Sequence, residues 1–227
     1  MKTLNSVHLE GFVETCRIAG ELSGKTVSKL SVITLHPKVT PSDPSARPLS
    51  ASERYEKMRH MVRVVSSGEM TGILKNISES LASGKDSAGL FPVVLDGAIA
   101  SQGSDNFIDV PEGGIAIAES VATENNNIAN IRGEVKSVSF TERSAKIRVK
   151  AGDSIIHVVA LRGEGLGAWN SVAEGRVAKG DAVSLSGPVH SVEFTDGQRT
   201  VCAALVSPRQ FEKLELKKSK ELSGPSL

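Results

Sequence analysis

Apolar and polar residues alternate along most of the second half of the chain, which is the pattern of half-buried β-strands. The clearest case is residues 144–150, where polar or charged residues take every second position. An Asp196-Gly197 pair, typical of a tight hairpin turn, separates the last two alternating stretches. In this half, helical spacing of apolar residues occurs only in residues 166–178. The predicted order is three strands, one helix and two strands, with strands at residues 130–140, 144–150, 154–162, 182–194 and 199–206.

A glycine-rich segment, Gly163-Glu164-Gly165-Leu166-Gly167-Ala168, lies between the third predicted strand and the helix. Its spacing is that of a dinucleotide-binding loop, whose glycines let the backbone approach a pyrophosphate. That fold also needs alternating βαβ units with an acidic residue at the end of the second strand. Asp181 instead precedes its strand, and the strands before the glycines form hairpins. We therefore interpret the glycines as turn residues and expect no cofactor.

Two short motifs of the first half recur in the second half. They are Asn5-x5-Gly11-x-Val13, which recurs as Asn127-x5-Gly133-x-Val135, and Val93-x-Leu95-x-Gly97-x-Ile99, which recurs as Val183-x-Leu185-x-Gly187-x-Val189. The first half also has predicted strands at residues 29–35, 59–65 and 107–118 and a predicted helix at residues 72–82. Two motifs in the same order, flanked by matching elements, indicate an internal duplication.

The order of predicted elements is that of the OB-fold, a five-stranded barrel with a helix between strands three and four. We therefore predict an all-β chain, with one short helix per barrel, that forms two tandem five-stranded OB-fold barrels rather than a single continuous sheet. The predicted units are a first OB-fold at 1–118 with a Pro-rich, mobile loop at 37–52, a linker at 119–127, a second OB-fold at 128–210 and a C-terminal tail at 211–227.

Charge, cysteines and histidines narrow the function classes. Residues 1–127 carry 12 basic and 15 acidic side chains, a net charge of −3, whereas residues 128–227 carry 15 and 11, a net charge of +4. The second half is therefore the one expected to meet a polyanion. The isolated Cys16 and Cys202 fit a reducing, cytoplasmic compartment. The five histidines lack metal-ligand spacing, no catalytic constellation is legible, and no apolar run reaches the roughly 18 residues of a membrane span. No metal, catalysis or membrane association is expected.

The stretch Ile156-His157-Val158-Val159-Ala160-Leu161-Arg162-Gly163, followed by a helix and by Lys179-Gly180-Asp181-x-Val183-x-Leu185-x-Gly187, resembles the bacterial single-stranded DNA-binding proteins. That family has an aromatic-His-Arg-Val-Val-Leu-aromatic-Gly strand, a helix and a Lys-Gly-x-x-Val-x-Ile-x-Gly turn. Residues 5–11 and 59–65 resemble the same strands in the first half. The resemblance covers most of residues 4–118 and 128–206. It implies binding of single-stranded DNA in replication, recombination or repair, and an assembly of four barrels, hence a homodimer of this two-barrel chain.

The chain departs from the family's pattern in two respects. The family's stacking aromatics correspond here to Ile156 and Arg162, and in the first half to Arg59 and Val65. The family's acidic C-terminal tip, which recruits other replication and repair proteins, has no counterpart in residues 220–227. The resemblance therefore supports the fold better than it supports every part of the function.

Binding a single strand requires cations that follow the phosphates and flat groups on which bases stack. In an OB-fold these groups lie on strands two and three and on the loops after strands one and four. Lys146, Arg148 and Lys150 share one face of the second predicted strand, and Arg162, whose guanidinium can stack on a base, ends the third. The other candidate cations are Arg132, Lys136 and Arg199, with Arg59 and Arg63 as minor contacts. We expect the second barrel to dominate affinity and the first to serve mainly assembly.

The few aromatic residues are further candidates. Phe140 and Phe194 lie at predicted loop tips, and two alternatives are kept for their rings, stacking on a base or packing in the core. Trp169 lies on the apolar face of the helix and is expected to close the end of the barrel. His157 shares its face with Val159 and Leu161 and is expected to lie in the core or at a subunit contact.

Two other functions are compatible with the same fold. One is RNA binding or a primosome-type accessory role. The other is a protein-interaction scaffold whose barrels do not bind nucleic acid, which the low aromatic content, 4%, and the negative first half would allow.

Overall fold

The computed structural model describes residues 2–37, 55–83, 91–103, 105–120, 127–163, 167–196 and 199–215, with the side chains of residues 37 and 193–202 left aside. Within these residues the chain forms thirteen strands and two helices. Neither helix is long and apolar enough to cross a membrane. The Pro-rich loop predicted at 37–52 lies outside the described residues except for Pro37, and so do residues 121–126 of the predicted linker.

The first barrel contains β1 (Leu4–Leu22), β2 (Lys25–Pro37), β3 (Tyr55–Ser66), α1 (Gly68–Ser83), β4 (Phe91–Gln102) and β5 (Asp105–Val110). Strands β1, β2 and β3 form an antiparallel meander. Strand β5 pairs in parallel with β3 and antiparallel with β4, and β4 returns to β1 and closes the barrel. A short strand, β6 (Ile115–Ile117), extends the sheet beside β4.

The second barrel repeats this arrangement with β7 (Asn127–Phe140), β8 (Ser144–Ala151), β9 (Ser154–Leu161), α2 (Ala168–Ala173), β10 (Ala182–Gly187), β11 (Val189–Asp196), β12 (Arg199–Val206) and β13 (Gln210–Leu214). Strands β10 and β11 together take the place of β4, interrupted at Pro188, which has no backbone N–H for a ladder. Strand β12 pairs in parallel with β9, and β10 closes the barrel on β7. The predicted all-β chain of two tandem five-stranded OB-fold barrels is confirmed.

The period of two along each strand separates core from surface. In β8, Ala145, Ile147 and Val149 are buried, whereas Lys146, Arg148 and Lys150 between them are exposed. The largest fully buried side chains come from several strands of both barrels, among them Leu9, Leu30, Leu95, Ile131, Ile147 and Ile156. This close-packed aliphatic core fixes which face of each strand is left for a ligand.

The repeated glycines stand where two backbones approach closely. A Cβ on Gly11 would collide with the backbone oxygen of Ile33, and a Cβ on Gly133 would collide with that of Lys150. Just after each glycine the register shifts, between Val13 and Thr15 in β1 and between Val135 and Ser137 in β7. Both barrels therefore bend their first strand with a β-bulge at the same place. This match is a structural sign of the internal duplication.

Besides the break at Pro188 in the strand predicted at 182–194, three predicted boundaries need correction. The helix predicted at 166–178 is shorter, because it starts after Gly167 and ends at Ala173. The strand predicted at 107–118 is broken at Pro111, after which a turn through Gly113 and Gly114 leads to β6. The predicted C-terminal tail begins inside β13, which pairs with the edge of β10 as β6 pairs with β4.

The two barrels share one sheet, which differs from the expectation of two barrels without a single continuous sheet. Residues 4–9 of β1 pair antiparallel with residues 127–132 of β7 and link all thirteen strands. The pairing centres on Val7 and Ala129, which occupy equivalent positions in the two repeats. The barrels are therefore related by an approximate two-fold axis at this pair, like the halves of a dimer.

Candidate nucleic-acid interface

The outer face of β8 carries a row of three cations. Lys146, Arg148 and Lys150 alternate with buried residues and point away from the core, as the sequence pattern predicts. Within the described part of the chain, none of the three forms an ion pair with an acidic side chain. Alternate residues of a strand lie about 7 Å apart, so the row forms an evenly spaced line of positive charge.

The neighbours of Lys146 and Arg148 in this row are small or neutral, whereas Lys150 stands opposite Glu134 on β7. Arg148 lies between Ser137 on β7 and His157 on β9, and Lys146 lies between Ser139 and Val159. We call these seven residues, Lys146, Arg148, Lys150, Ser137, Ser139, His157 and Val159, the second-barrel face. Serine hydroxyls beside cations commonly donate hydrogen bonds to phosphate oxygens. The face therefore presents charge without a competing acid in its centre.

His157 lies on this outer face beside Arg148, half-buried, so its expected place in the core is wrong. Burial, with a further contribution from Arg148, lowers the pKa of His157 below its ordinary value. The imidazole is therefore neutral at pH 7 and keeps both a donor and an acceptor nitrogen. A subunit contact stays a prediction.

Arg132 and Lys136 lie at the margin of the second-barrel face. The Lys136 Nζ lies 2.6 Å from a carboxylate oxygen of Glu134. This hydrogen bond, more than any other contact, lowers the pKa of Glu134. Arg132 is exposed but stands beyond Glu134, between Leu4 on β1 and Ser184 on β10. Both cations are therefore less available to a strand lying along β8.

One end of the second barrel gathers a cation and two aromatic rings. The guanidinium of Arg162, just after β9, lies 5.1 Å from the centre of the Trp169 ring. Trp169 packs partly against the core, as predicted, and its Nε1–H donates to the backbone oxygen of Thr141 at 3.1 Å. Phe140, next to Thr141, is 56% exposed. The core-packing alternative for Phe140 is therefore wrong, and its ring is open to a base.

The sequence analysis missed the Arg162–Trp169 contact. The two residues flank a glycine-rich segment, and a sequence of this kind does not specify how the residues on its two sides are brought together. Phe194 and Arg199 lie in the β11–β12 hairpin, opposite Val201 and Asp196. The side chains of Phe194 and Arg199 lie outside the described part, so their predicted roles stay predictions.

In the first barrel the two predicted arginines are bound to acids of the same barrel. Arg59 donates to both carboxylate oxygens of Glu14, at 2.5 and 2.7 Å. Arg63 donates to both oxygens of Asp109, at 2.7 and 2.8 Å. Arg59 lowers the pKa of Glu14, and Asp109 raises that of Arg63. These bidentate pairs offset the positive charges of the two arginines that the sequence analysis predicted as contacts in the first barrel.

The first barrel also has two exposed cations that the sequence analysis missed. Arg17 on β1 stands opposite Lys29 on β2, and Lys29 stands opposite Arg63 on β3. Neither Arg17 nor Lys29 has an ion pair in the described residues. Counted from the bulges, Lys29 takes the position that Lys146 takes in the second barrel. The signal that could have found them is the alternation of Lys29 with Leu30 in the predicted second strand.

Ile156, one of the two second-barrel residues matched to the family's stacking positions, does not lie on the outer face of β9. Ile156 is completely buried in the core, so it cannot present a stacking group to a ligand. The outer face is presented instead by residues of the opposite parity, including the 43% exposed Leu161. In the described part of the chain, no three His, Cys, Asp or Glu side chains are grouped to hold a metal ion.

No family model matches the sequence, and no curated protein matches it. Solved structures do match. The wild-type single-stranded DNA-binding protein from Thermus aquaticus is 14% identical, with a TM-score of 0.61, over 100% of this chain and 97% of that one. A deletion mutant of the same protein gives 14% identity and a TM-score of 0.62 over 97% and 98%.

A further match is the dimeric N-terminal domain of PriB from Thermoanaerobacter tencongensis, 17% identical over 51% of this chain and 98% of that domain. Its TM-score of 0.26 is too low to support an argument. The Thermus matches extend over both barrels. The chain has a tandem OB fold, similar to that of the Thermus protein.

Proposed function

We propose that this protein is a non-catalytic single-stranded DNA-binding protein that coats the strand during replication, recombination or repair. The observation that carries the proposal is the row of Lys146, Arg148 and Lys150 on the outer face of β8. Strand two of an OB barrel is part of its usual ligand surface. Three cations there, none of which forms an ion pair within the described residues, can each contact a phosphate and release a counterion.

Stacking groups at the end of the same barrel support the proposal. Phe140 and the Arg162–Trp169 pair lie close to the loop that follows β7, which is a ligand-binding loop of the OB-fold. Every base has a flat face, so stacking adds affinity without requiring a sequence. Cations along a strand and aromatics at its end are the combination expected for a protein that coats single strands.

The assembly that we propose is a homodimer. One chain already holds two barrels related by the approximate axis at Val7 and Ala129, and the resemblance implies four barrels. Apolar residues lie exposed on the ribbon formed by β1 and β7, among them Leu4 and Ile128 at 42% and 40%. Light scattering should give a dimer mass at micromolar concentrations, and a monomer mass would contradict this part. We place the protein in the cytoplasm, associated with the nucleoid, without membrane or small-molecule cofactor.

The test is fluorescence anisotropy with poly-dT, duplex DNA and RNA at two salt concentrations. Poly-dT should bind most tightly, and the logarithm of its affinity should fall with the logarithm of salt by about 0.7 per phosphate contact. Tighter binding of RNA would favour an RNA-binding or primosome-type role. Absence of salt-dependent binding to all three would favour a protein-interaction scaffold and overturn the proposal.

A further inference from the structure

A cavity of about 150 Å³ opens on the outer face of the first barrel. It lies where β2, β3 and β5 meet the turn after β4, and its walls include Lys29, Met61, Arg63, Gln102, Asp105 and Phe107. Strands two and three and the turn after strand four are the parts of an OB barrel that face a ligand. The cavity therefore lies on the ligand side of the barrel.

One wall of the cavity is a preformed flat stack. The guanidinium carbon of Arg63 lies 4.7 Å from the centre of the Phe107 ring. The two hydrogen bonds to Asp109, at 2.7 and 2.8 Å, fix the plane of the guanidinium and offset its charge. Held in this way, Arg63 is less suited to a phosphate and well suited to a planar, uncharged partner.

We propose that this cavity binds one nucleobase of a single strand, with the Arg63–Phe107 stack as its platform. The inference rests on the proposed function, because it assumes that a single strand reaches the first barrel. Exposed Lys29 at the mouth contacts the adjoining phosphate. Gln102 and Asp105 supply polar groups at the rim that can meet the edge of a base.

The size and chemistry of the cavity favour one base over a larger ligand. Sites for whole small molecules usually measure roughly 300–1,000 Å³, so this cavity holds only a fragment of that size. The aromatic and thioether groups of Phe107 and Met61 suit a ring, and sulfur contacts with aromatic rings are favourable. The ligand is thus flat, partly apolar and attached to an anion, as a nucleotide of a strand is.

The second barrel lacks this platform. At the equivalent positions of the second barrel, Leu205 takes the place of Phe107 and Val159 takes the place of Arg63. Leu205 stands beside His157 as Phe107 stands beside Met61. The cavity site is therefore particular to the first barrel, whereas the second barrel holds phosphates along β8 and has its stacking groups at the end of the barrel.

The experiment compares oligo(dT) with an abasic deoxyribose-phosphate oligomer of the same length, which keeps the phosphates and lacks the bases. Phe107→Leu should weaken binding of oligo(dT) by about 5- to 150-fold, the effect of losing one base–aromatic stack. It should leave binding of the abasic oligomer and the salt slope unchanged. Phe107→Tyr keeps the ring and should keep the affinity. Lys146→Ala, the phosphate control, should weaken binding of both oligomers equally and flatten the slope.

The outcomes separate the two proposals. If the unaltered protein binds neither oligomer, the proposed function fails. If it binds oligo(dT) and Phe107→Leu binds equally well, the base site is overturned while the proposed function stands. Equal losses for both oligomers with Phe107→Leu would show damage to the fold or the backbone contact, and would likewise overturn the base site.

Discussion

The side-chain amide of Asn127 hydrogen-bonds both backbone groups of Val189, donating to its oxygen at 2.7 Å and accepting from its N–H at 2.8 Å. Asn5 binds Ile99 in the same way, at 2.8 and 3.0 Å. The asparagine that begins one repeated motif therefore holds the last residue of the other motif, in both barrels. The two motifs recur together because they form one contact between the first and fourth strands.

Replacing Asn127 with Ala should lower the free energy of unfolding by about 1–3 kcal/mol, because it leaves the buried N–H and oxygen of Val189 without partners. Asn5→Ala should cost less, since Asn5 is only partly buried. Urea unfolding measures both changes. Asn76→Ala on the exposed side of α1 is the matched control and should be nearly neutral. Equal effects at positions 76 and 127 would contradict the role of this contact.

The outer face of β8 can be predicted from the sequence, because a strand's period of two alone decides which side chains point outward. The ion pairs of the first barrel cannot. Glu14 is 45 residues from Arg59, and the bulge after Val13 changes which residues of β1 share a face with β2. Pairing across strands depends on register, and register depends on tertiary packing.

The same physics explains why Ile156 was wrongly matched to an outward-facing position. Residues 155–161 are almost all apolar, so the sequence of β9 does not show which parity faces the core. Only pairing with the strictly alternating β8 settles it, since Ile156 stands opposite the buried Val149. Strands with clear alternation were assigned correctly, and Ile156, in the strand without it, was not.

Changing Lys146, Arg148 and Lys150 together to Ala should flatten the log–log salt slope of single-strand binding by about 0.7 per lost phosphate contact. The three residues are exposed and form no ion pair in the described part of the chain, so the fold should persist. The comparison variant is Arg59→Ala with Arg63→Ala, which removes cations already paired with Glu14 and Asp109. Its salt slope should change less than that of the triple variant, although loss of the Arg63–Phe107 stack should lower its affinity. Loss of binding in the comparison variant with normal binding in the triple variant would reverse the assignment of the two barrels.

Phe140→Ala should weaken binding of oligo(dT) by about 1–3 kcal/mol if the ring stacks on a base, with little change in the salt slope. The ring is 56% exposed, so its removal opens no large cavity in the core. Anisotropy titrations at several salt concentrations separate a change in affinity from a change in slope. Phe140→Tyr, which keeps a ring, should bind normally, and an unchanged affinity for the alanine variant would contradict stacking.

A buried histidine cluster joins the two barrels and should make stability depend on pH. Thr34 hydrogen-bonds His60 Nε2 at 2.8 Å and His36 Nε2 at 3.1 Å, and Asn127 reaches His36 at 3.3 Å. Burial, with His190 and His36 nearby, lowers the pKa of His60 to about 3. Burial, with His190 and Arg209, also lowers that of His36, against the opposing effect of Glu56.

The unfolded chain takes up a proton at His60 near pH 6.5, whereas the folded chain does not. The contribution of His60 to the free energy of unfolding is therefore fully present above pH 6.5 and is lost as the pH drops toward 3. The slope is about 1.4 kcal/mol per pH unit for one such histidine. Urea unfolding between pH 7 and pH 5 measures it. His60→Gln should reduce the slope. His8, whose pKa is raised mainly by Asp96, acts in the opposite sense, so His8→Gln should not reduce it.

Glu14 and Lys136 occupy the same bulge position in the two barrels. The side chain at this position is therefore negative in the first barrel and positive in the second, which is the sharpest contrast between the barrels. Glu14 places a carboxylate on the ligand side of the first barrel, where it binds Arg59 and accepts from the Ser31 hydroxyl at 2.9 Å. A phosphate approaching this face meets that negative charge, which opposes binding most strongly at low salt. The Glu14 carboxylate thus weakens phosphate binding by the first barrel relative to the second.

Glu14→Gln should therefore raise the affinity for oligo(dT) at low salt and steepen the salt slope, by up to about 0.7 if one more phosphate is engaged. Glu21→Gln changes the net charge equally but lies at the exposed end of β1, away from Arg59, and serves as the matched control. Because both variants carry the same net charge, only a local effect can separate them. Equal gains for the two variants would show a general charge effect and would contradict the role assigned to Glu14.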